Sequence, residues 1–156
     1  MITPIEFCEK FKPCPEGLVF VQKHQTLAEA WEQCHRPDWM VWSLECIAHP
    51  RYHKNLRLFA IWCARNTPMH DGRTTGALLT DPRSIAALEV AERFANGNAT
   101  EAELTAAGTA ARTAAQAAAW SAAEAAAWSA AWSAARSAAR AAQADALRKL
   151  VNNSFK

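Results

Sequence analysis

Residues 105–140 read TAAGTAARTAAQAAAWSAAEAAAWSAAWSAARSAAR, a four-residue unit of one small residue, two alanines and one larger residue. No Pro follows Pro82 and no Gly follows Gly108. Alanine is the strongest helix former, and Ser and Thr are tolerated at the remaining small positions. The tract therefore predicts a single helix from about Glu101 to about Leu150, about 75 Å long if unbroken. A compact domain of this length is only about 30 Å across. The helix must protrude, or bend and pack along its length.

The period governs how such a helix is used. Four residues turn it by about 400°, so the larger residues wind slowly around the rod instead of forming a straight stripe. Trp120, Trp128 and Trp132 fall within a sector of about 120°, with Arg136 and Arg140 further round. A period of 4.0 is far from the 3.5 of a coiled coil. Alanine burial contributes little, but it lets another helix approach closely, and each Trp offers on the order of 200 Å². Two readings stay open. The indoles pack on the chain's own N-terminal helices, or at least one anchors a partner or a second copy, as Trp does at binding hot spots.

Working outward, helix signals punctuate the N-terminal two thirds. Thr3-Pro4-Ile5-Glu6, Thr26-Leu27-Ala28-Glu29 and Thr100-Glu101-Ala102-Glu103 each place a Thr cap three residues before a Glu. Pro13, Pro15 and Gly17 separate a first short helix from a second. Arg36-Pro37-Asp38 restarts the chain into a segment with Trp39, Met40, Trp42, Leu44 and Ile47, apolar on most sides and so central. Leu56, Phe59, Ala60 and Cys63 share one face of the next helix, from about Asn55 to Ala64. Asn66–Gly76 is a long polar loop. Thr80-Asp81-Pro82 opens a helix that Asn96-Gly97 closes. No stretch alternates long enough to be a strand. The expected fold is all-α, one domain over 1–156: a bundle of short helices (1–97) packed on one long Ala-rich helix (100–150).

Net charge is +2, distributed in alternating blocks. Residues 1–47 carry seven acids and four bases, a net −3, and the blocks 48–75, 76–103 and 104–156 carry +4, −3 and +4. Blocks this modest suit helix–helix pairing better than a dense nucleic-acid footprint. MITPIEF has no charged start followed by an apolar run, so no signal peptide is expected. No apolar run is long enough to span a membrane. Five Cys without CxxC spacing fit reduced thiols, and the expected location is the cytoplasm of a bacterial host cell.

Three segments together, Arg36-Pro37-Asp38-Trp39, LRLFAIWCAR at 56–65 and LLTDPRSIAALEVAERFANGNATEAEL at 78–104, carry a likeness. They resemble an Ala- and Trp-rich helical family of bacteria and their phages whose members are labelled immunity proteins. The likeness spans roughly 26–145. It implies a small cytosolic protein that binds and neutralises another protein. In a phage or mobile element the analogous role is blocking a host defence complex such as a CRISPR effector. The resemblance supplies no catalytic motif.

Chemistry is sparse in the residues themselves. Cys46-x2-His49-x3-His53, with Cys34-His35 upstream, has zinc-like letters, but Pro50 interrupts the spacing and nothing completes a tetrahedral set. His70-Asp71-Gly72 is the one compact His/Asp pair and reads more readily as a turn than as a nucleophile's base. No phosphate-cradling glycine motif is present. Arg51, Lys54, Arg57, Arg65 and Arg73 near Tyr52, Phe59 and Trp62, with Arg136, Arg140, Arg148 and Lys149 along the end of the rod, keep a nucleic-acid alternative open. Its counterpart is that Arg57 and Arg65 pair with acidic neighbours. The expectation is a non-enzymatic inhibitor without cofactor or metal. Its partner would be a toxin or host defence complex, contacted through Trp120, Trp128, Trp132, Arg136 and Arg140, with His70, Asp71 and Arg73 second. A homodimer through the long helix is the other association expected.

Overall fold

Alternating caps and prolines divide the chain into helices in the order the sequence predicts. The computed structural model describes residues 2–47, 52–69, 71–122 and 131–151, with only the backbone course given for 113–122 and 131–137. Four short helices open the fold: α1 (Pro4–Phe11), α2 (Pro15–Gln22), α3 (Leu27–Gln33) and α4 (Pro37–Ile47). Then come α5 (Tyr52–Asn66), a 3-10 turn (Thr75–Leu78), α6 (Pro82–Ala95), α7 (Glu101–Ala122) and α8 (Ala131–Leu150). Among the described residues there is no strand, only an isolated bridge between Pro68 and Thr74. The all-α expectation holds.

The caps work as their chemistry requires. At α1 the Thr3 amide donates to Glu6 Oε2 at 2.7 Å, and the Glu6 amide donates to Thr3 Oγ1 at 3.2 Å. Thr100 and Glu103 repeat the exchange at α7, at 2.7 and 3.2 Å. At α3 the return bond slips by one residue, the Gln25 amide donating to Glu29 Oε2 at 3.0 Å. Asp81 caps α6 through the Arg83 amide at 2.8 Å and grips the Arg83 guanidinium at 3.0 and 2.7 Å. The bonds from the Arg83 side chain and then its amide pull the Asp81 carboxyl down to about 2. Gly97, at φ +79°, turns the chain from α6 toward α7, a conformation that disfavours side chains. Gly76 answers to space instead: a Cβ there would sit 2.5 Å from the Arg65 carbonyl oxygen.

The core gathers Phe7, Leu27, Trp31, Cys34, Met40, Leu44, Tyr52 and Phe59, from α1, α3 with its cap, α4 and α5, around Ala144, Ala146, Leu147 and Val151. Ala144, Leu147 and Val151 are 0% exposed. The end of the alanine tract is thus the centre of the N-terminal bundle. Asn55 Nδ2 donates to the Leu150 carbonyl at 2.6 Å, and Gln143 Nε2 donates to Thr67 Oγ1 at 3.0 Å. These two bonds set α8 antiparallel to α5. Arg148, with its side chain only 16% exposed, donates to the carbonyls of Trp31 and Cys34. It thereby satisfies acceptors left open at the end of α3.

The expected single rod from Glu101 to Leu150 requires correction. α7 packs along α6, with Leu104, Ala107 and Ala111 half-buried at helical spacing. At its start Glu103 pairs with Arg93 at 3.6 Å, and the adjoining Phe94 ring lies 4.8 Å beneath the Arg57 guanidinium. Leu150, at the other end, bonds Asn55, two residues from Arg57. Both ends therefore meet near the start of α5, whereas a straight helix would hold Glu103 and Leu150 about 70 Å apart. α7 and α8 are two separate helices, and residues 123–130 between them lie outside the described residues. The reason is energetic. Helix propensity acts residue by residue and does not fix direction, while burying a Leu or Val side chain contributes about 1.5–3 kcal/mol each. Leu147 and Val151 claim the core and so fix where α8 sits.

Leu147→Ala should cost about 2–5 kcal/mol, because it empties a fully buried site. At about 2–4 °C per kcal/mol the melting temperature falls by about 4–20 °C. Leu78→Ala, 55% exposed, should stay within about 0.5 kcal/mol by the same thermal melt. Asp81→Asn keeps the cap oxygen and removes the charge. A depressed native pKa stabilises above the ordinary value of 3.8 and loses that effect as pH falls through about 2. The variant should therefore be less stable than wild type at neutral pH, and the gap should close between about pH 4 and pH 2. Urea titrations across that range read it out.

Candidate binding pocket

The helices α1–α4 are two to three turns long and carry large rings, and they do not fill the space between them. Pro13-Cys14-Pro15 and the Thr26 and Pro37 starts fix where each helix begins, so the walls cannot slide inward to close it. The result is a half-open cavity of about 260 Å³. Phe7, Phe20, Trp31, Trp39 and Trp42 wall it with rings, Met40, Leu27 and Val21 add aliphatic surface, and Cys14, Cys34 and Ser43 are its polarisable members. Among the described residues, no Asp, Glu, Lys, Arg or His lines it.

The rings hold one another in place. Phe7 meets Trp42 edge-on at 5.9 Å between centroids and 88° between planes. Phe20 lies 5.6 Å from Trp39, tilted by 50°. Above Trp39 the Arg36 guanidinium sits 4.4 Å from the ring centroid, while its Nε and Nη2 donate to Asp38 at 2.9 and 2.6 Å. That bond, followed by the charges of Arg36 and Arg140, holds the Asp38 carboxyl below its ordinary range. The Cys34 thiol donates to the Arg36 carbonyl at 3.4 Å, and burial pushes its pKa up. Ser43 donates to the Met40 carbonyl at 2.8 Å. Cys14 caps α2, its Sγ accepting from the Gly17 amide at 3.4 Å, and is exposed at the mouth. The Cys34 thiol and the Ser43 hydroxyl are thus spent on backbone carbonyls, and the surface offered to a ligand is mainly aromatic and aliphatic.

The residues singled out from the sequence fall elsewhere. Trp128 and His70 lie outside the described residues, as do the side chains of Trp120, Trp132 and Arg136. Arg140 is exposed on α8, close enough for its charge to reach Asp38 beside the pocket. Asp71 and Arg73 bond each other: the Arg73 amide donates to Asp71 Oδ1 at 3.0 Å and its Nε to Oδ2 at 2.7 Å. With Gly72 at φ +80° the pair locks a turn. For the zinc-like letters, His49 lies outside the described residues, and no metal-holding group of three His, Cys, Asp or Glu occurs among the described ones. Of the basic residues proposed for a nucleic strand, Arg51 lies outside the described residues, Lys54 is exposed, and Arg57, Arg65 and Arg73 have partners within the fold. Arg65 pairs with Glu92 at 2.6 Å and Arg57 stacks on Phe94.

The signal for the pocket was present in the N-terminal tryptophans. Trp39 and Trp42, three apart on α4, share a face. Their reading as core was half right, since Met40 and Leu44 take the centre and the indoles take the wall. No helix among the described residues is long and apolar enough to cross a membrane. No protein family, curated protein or solved structure compared with the chain matches it.

Thiol reactivity should map this geometry. With iodoacetamide on the native protein, Cys14 should alkylate at least tenfold faster than Cys8 and Cys34, which are buried and have raised pKa values. Mass spectrometry of timed digests measures it, and the three rates should converge in urea.

Proposed function

We propose that this protein works by binding another protein, as a non-catalytic inhibitor of the immunity or anti-defence kind. The observation that carries the reading is the ring-walled recess on α1–α4, whose lining offers apolar contact and no acid, base or cation. Such a surface suits an anchor residue, and Trp-rich, well-packed recesses are where binding energy concentrates in interfaces. The likeness at 78–104 supplies the inhibitor class, with a toxin or a host defence complex as its target. Trp120, Trp128, Trp132, Arg136 and Arg140 are proposed as a second contact region on the alanine tract. A homodimer through that tract is the competing association.

A nucleic-acid role draws support from one feature, the Arg36–Trp39 stack with Arg140 nearby. The same Arg36 is held by both oxygens of Asp38, which reduces what it can offer a phosphate.

Affinity purification of the tagged chain from its native host should recover a stoichiometric protein partner, identified by mass spectrometry. Trp128→Ala with Trp132→Ala should lower its recovery while the melting temperature stays within a few degrees. Recovery of nucleic acid instead, with a gel shift lost between 50 and 200 mM salt, would establish the alternative.

A further inference from the structure

We infer that the α1–α4 pocket takes one aromatic side chain, of indole or phenyl type, presented on a basic segment of a partner protein. The inference rests on the protein-binding reading above and adds what the pocket recognises.

Size comes first. About 260 Å³ exceeds the roughly 150 Å³ that holds a single benzene ring, yet lies below the about 300–1,000 Å³ of pockets that enclose drug-sized ligands. The space suits one large side chain entering through a half-open mouth. Chemistry narrows it further. The hydroxyl of Ser43 and the thiol of Cys34 already donate to backbone carbonyls, so a polar group brought inside would lose water and gain neither of them as a donor. An apolar group meets no such penalty. Five rings at differing tilts offer edges and faces to a sixth, which favours an aromatic over an aliphatic guest. Met40, adaptable in shape, lies among them.

Charge selects the segment that carries the ring. The pocket is built entirely from residues 7–43, within the block 1–47 of net charge −3. Glu9, Glu16, Glu29 and Glu32 are exposed on the helices that frame it. Glu16 lies near enough to the mouth for its charge to stabilise the Arg36 cation. The Arg36 guanidinium at the rim is neutralised by Asp38, and Lys10, Lys12 and Lys23 of the same block are outnumbered by its acids. A basic chain flanking the aromatic anchor complements this surface, and an acidic one is repelled.

The test uses the full-length protein and fluorescein-labelled eleven-residue peptides read by anisotropy. One peptide has a central Trp flanked by Lys, a second has Ala in place of Trp, and a third has Glu in place of Lys. The Trp/Lys peptide should bind at least tenfold tighter than either relative, weaken with salt, and slow alkylation of Cys14. Cys14→Trp, which plugs the mouth from an exposed position, and Trp39→Ala, which removes a half-exposed wall, should each erase the preference for Trp over Ala. Their thermal melts check that folding is kept. Equal binding of the Ala peptide, equal binding of the Glu peptide, or an unchanged preference in folded Cys14→Trp overturns the inference. So does free indole binding as tightly as the Trp/Lys peptide, which would make this a small-molecule site. The native partner separates the two levels. Retention by both variants as firmly as by wild type removes the anchor and leaves protein binding intact. Recovery of no partner by the wild type removes the broader reading.

Discussion

The structure depends on the last two turns of α8 being swallowed by helices that precede them by about a hundred residues. Leu147 and Val151 give the bundle its fully buried aliphatic centre, and Arg148 carries a positive charge into the same place. That charge is tolerable because it is bonded: to the Trp31 and Cys34 carbonyls at the end of α3, and to Asp145 at 2.8 Å. A cation at a helix C-terminus is favoured by the dipole as well as by the open carbonyls. One side chain thus joins the end of α3 to α8, and the pocket residues Trp31 and Cys34 are held by it. The recess at the mouth and the core beneath it share a single tie.

Much of this was legible from the residues. Three Thr–Glu capping pairs, the prolines at 4, 15, 37 and 82, and the closing glycine at 97 mark helix boundaries within a residue or two. These signals act over three or four residues, so their physics is local and the sequence order displays it. The direction of the alanine tract was not legible. A period of small residues records how closely a helix can be approached and is silent on where it goes. That choice was made by Leu147 and Val151, ordinary apolar residues whose importance is visible only once Phe7, Leu44 and Tyr52 surround them.

The pocket was hidden for a related reason. Composition records how much ring surface a chain owns and not whether it meets. Trp31, Trp39 and Trp42 sit on two short helices whose spacing is set by caps and prolines, so their rings stand around a space instead of closing it. Met40 and Leu44, on the same helix as two of them, face the core and are 1% exposed. α4 therefore serves the core through Met40 and Leu44 and the recess through Trp39, Met40 and Trp42.

The recess shares Phe7, Leu27, Trp31, Cys34 and Met40 with the core, so filling it and folding are coupled, and close-packed interiors transmit strain. Here the walls nearest solvent, Phe20 and Trp39, rest on each other and on Arg36, while Phe7 and Trp42 brace the inner side. A guest ring would add contacts to an assembled frame and displace none of the bonds that Ser43 and Cys34 have made to the backbone. Preorganisation of that kind lowers the ordering cost of association. It explains how large indoles can stand so near the surface: folding itself holds the rings in place.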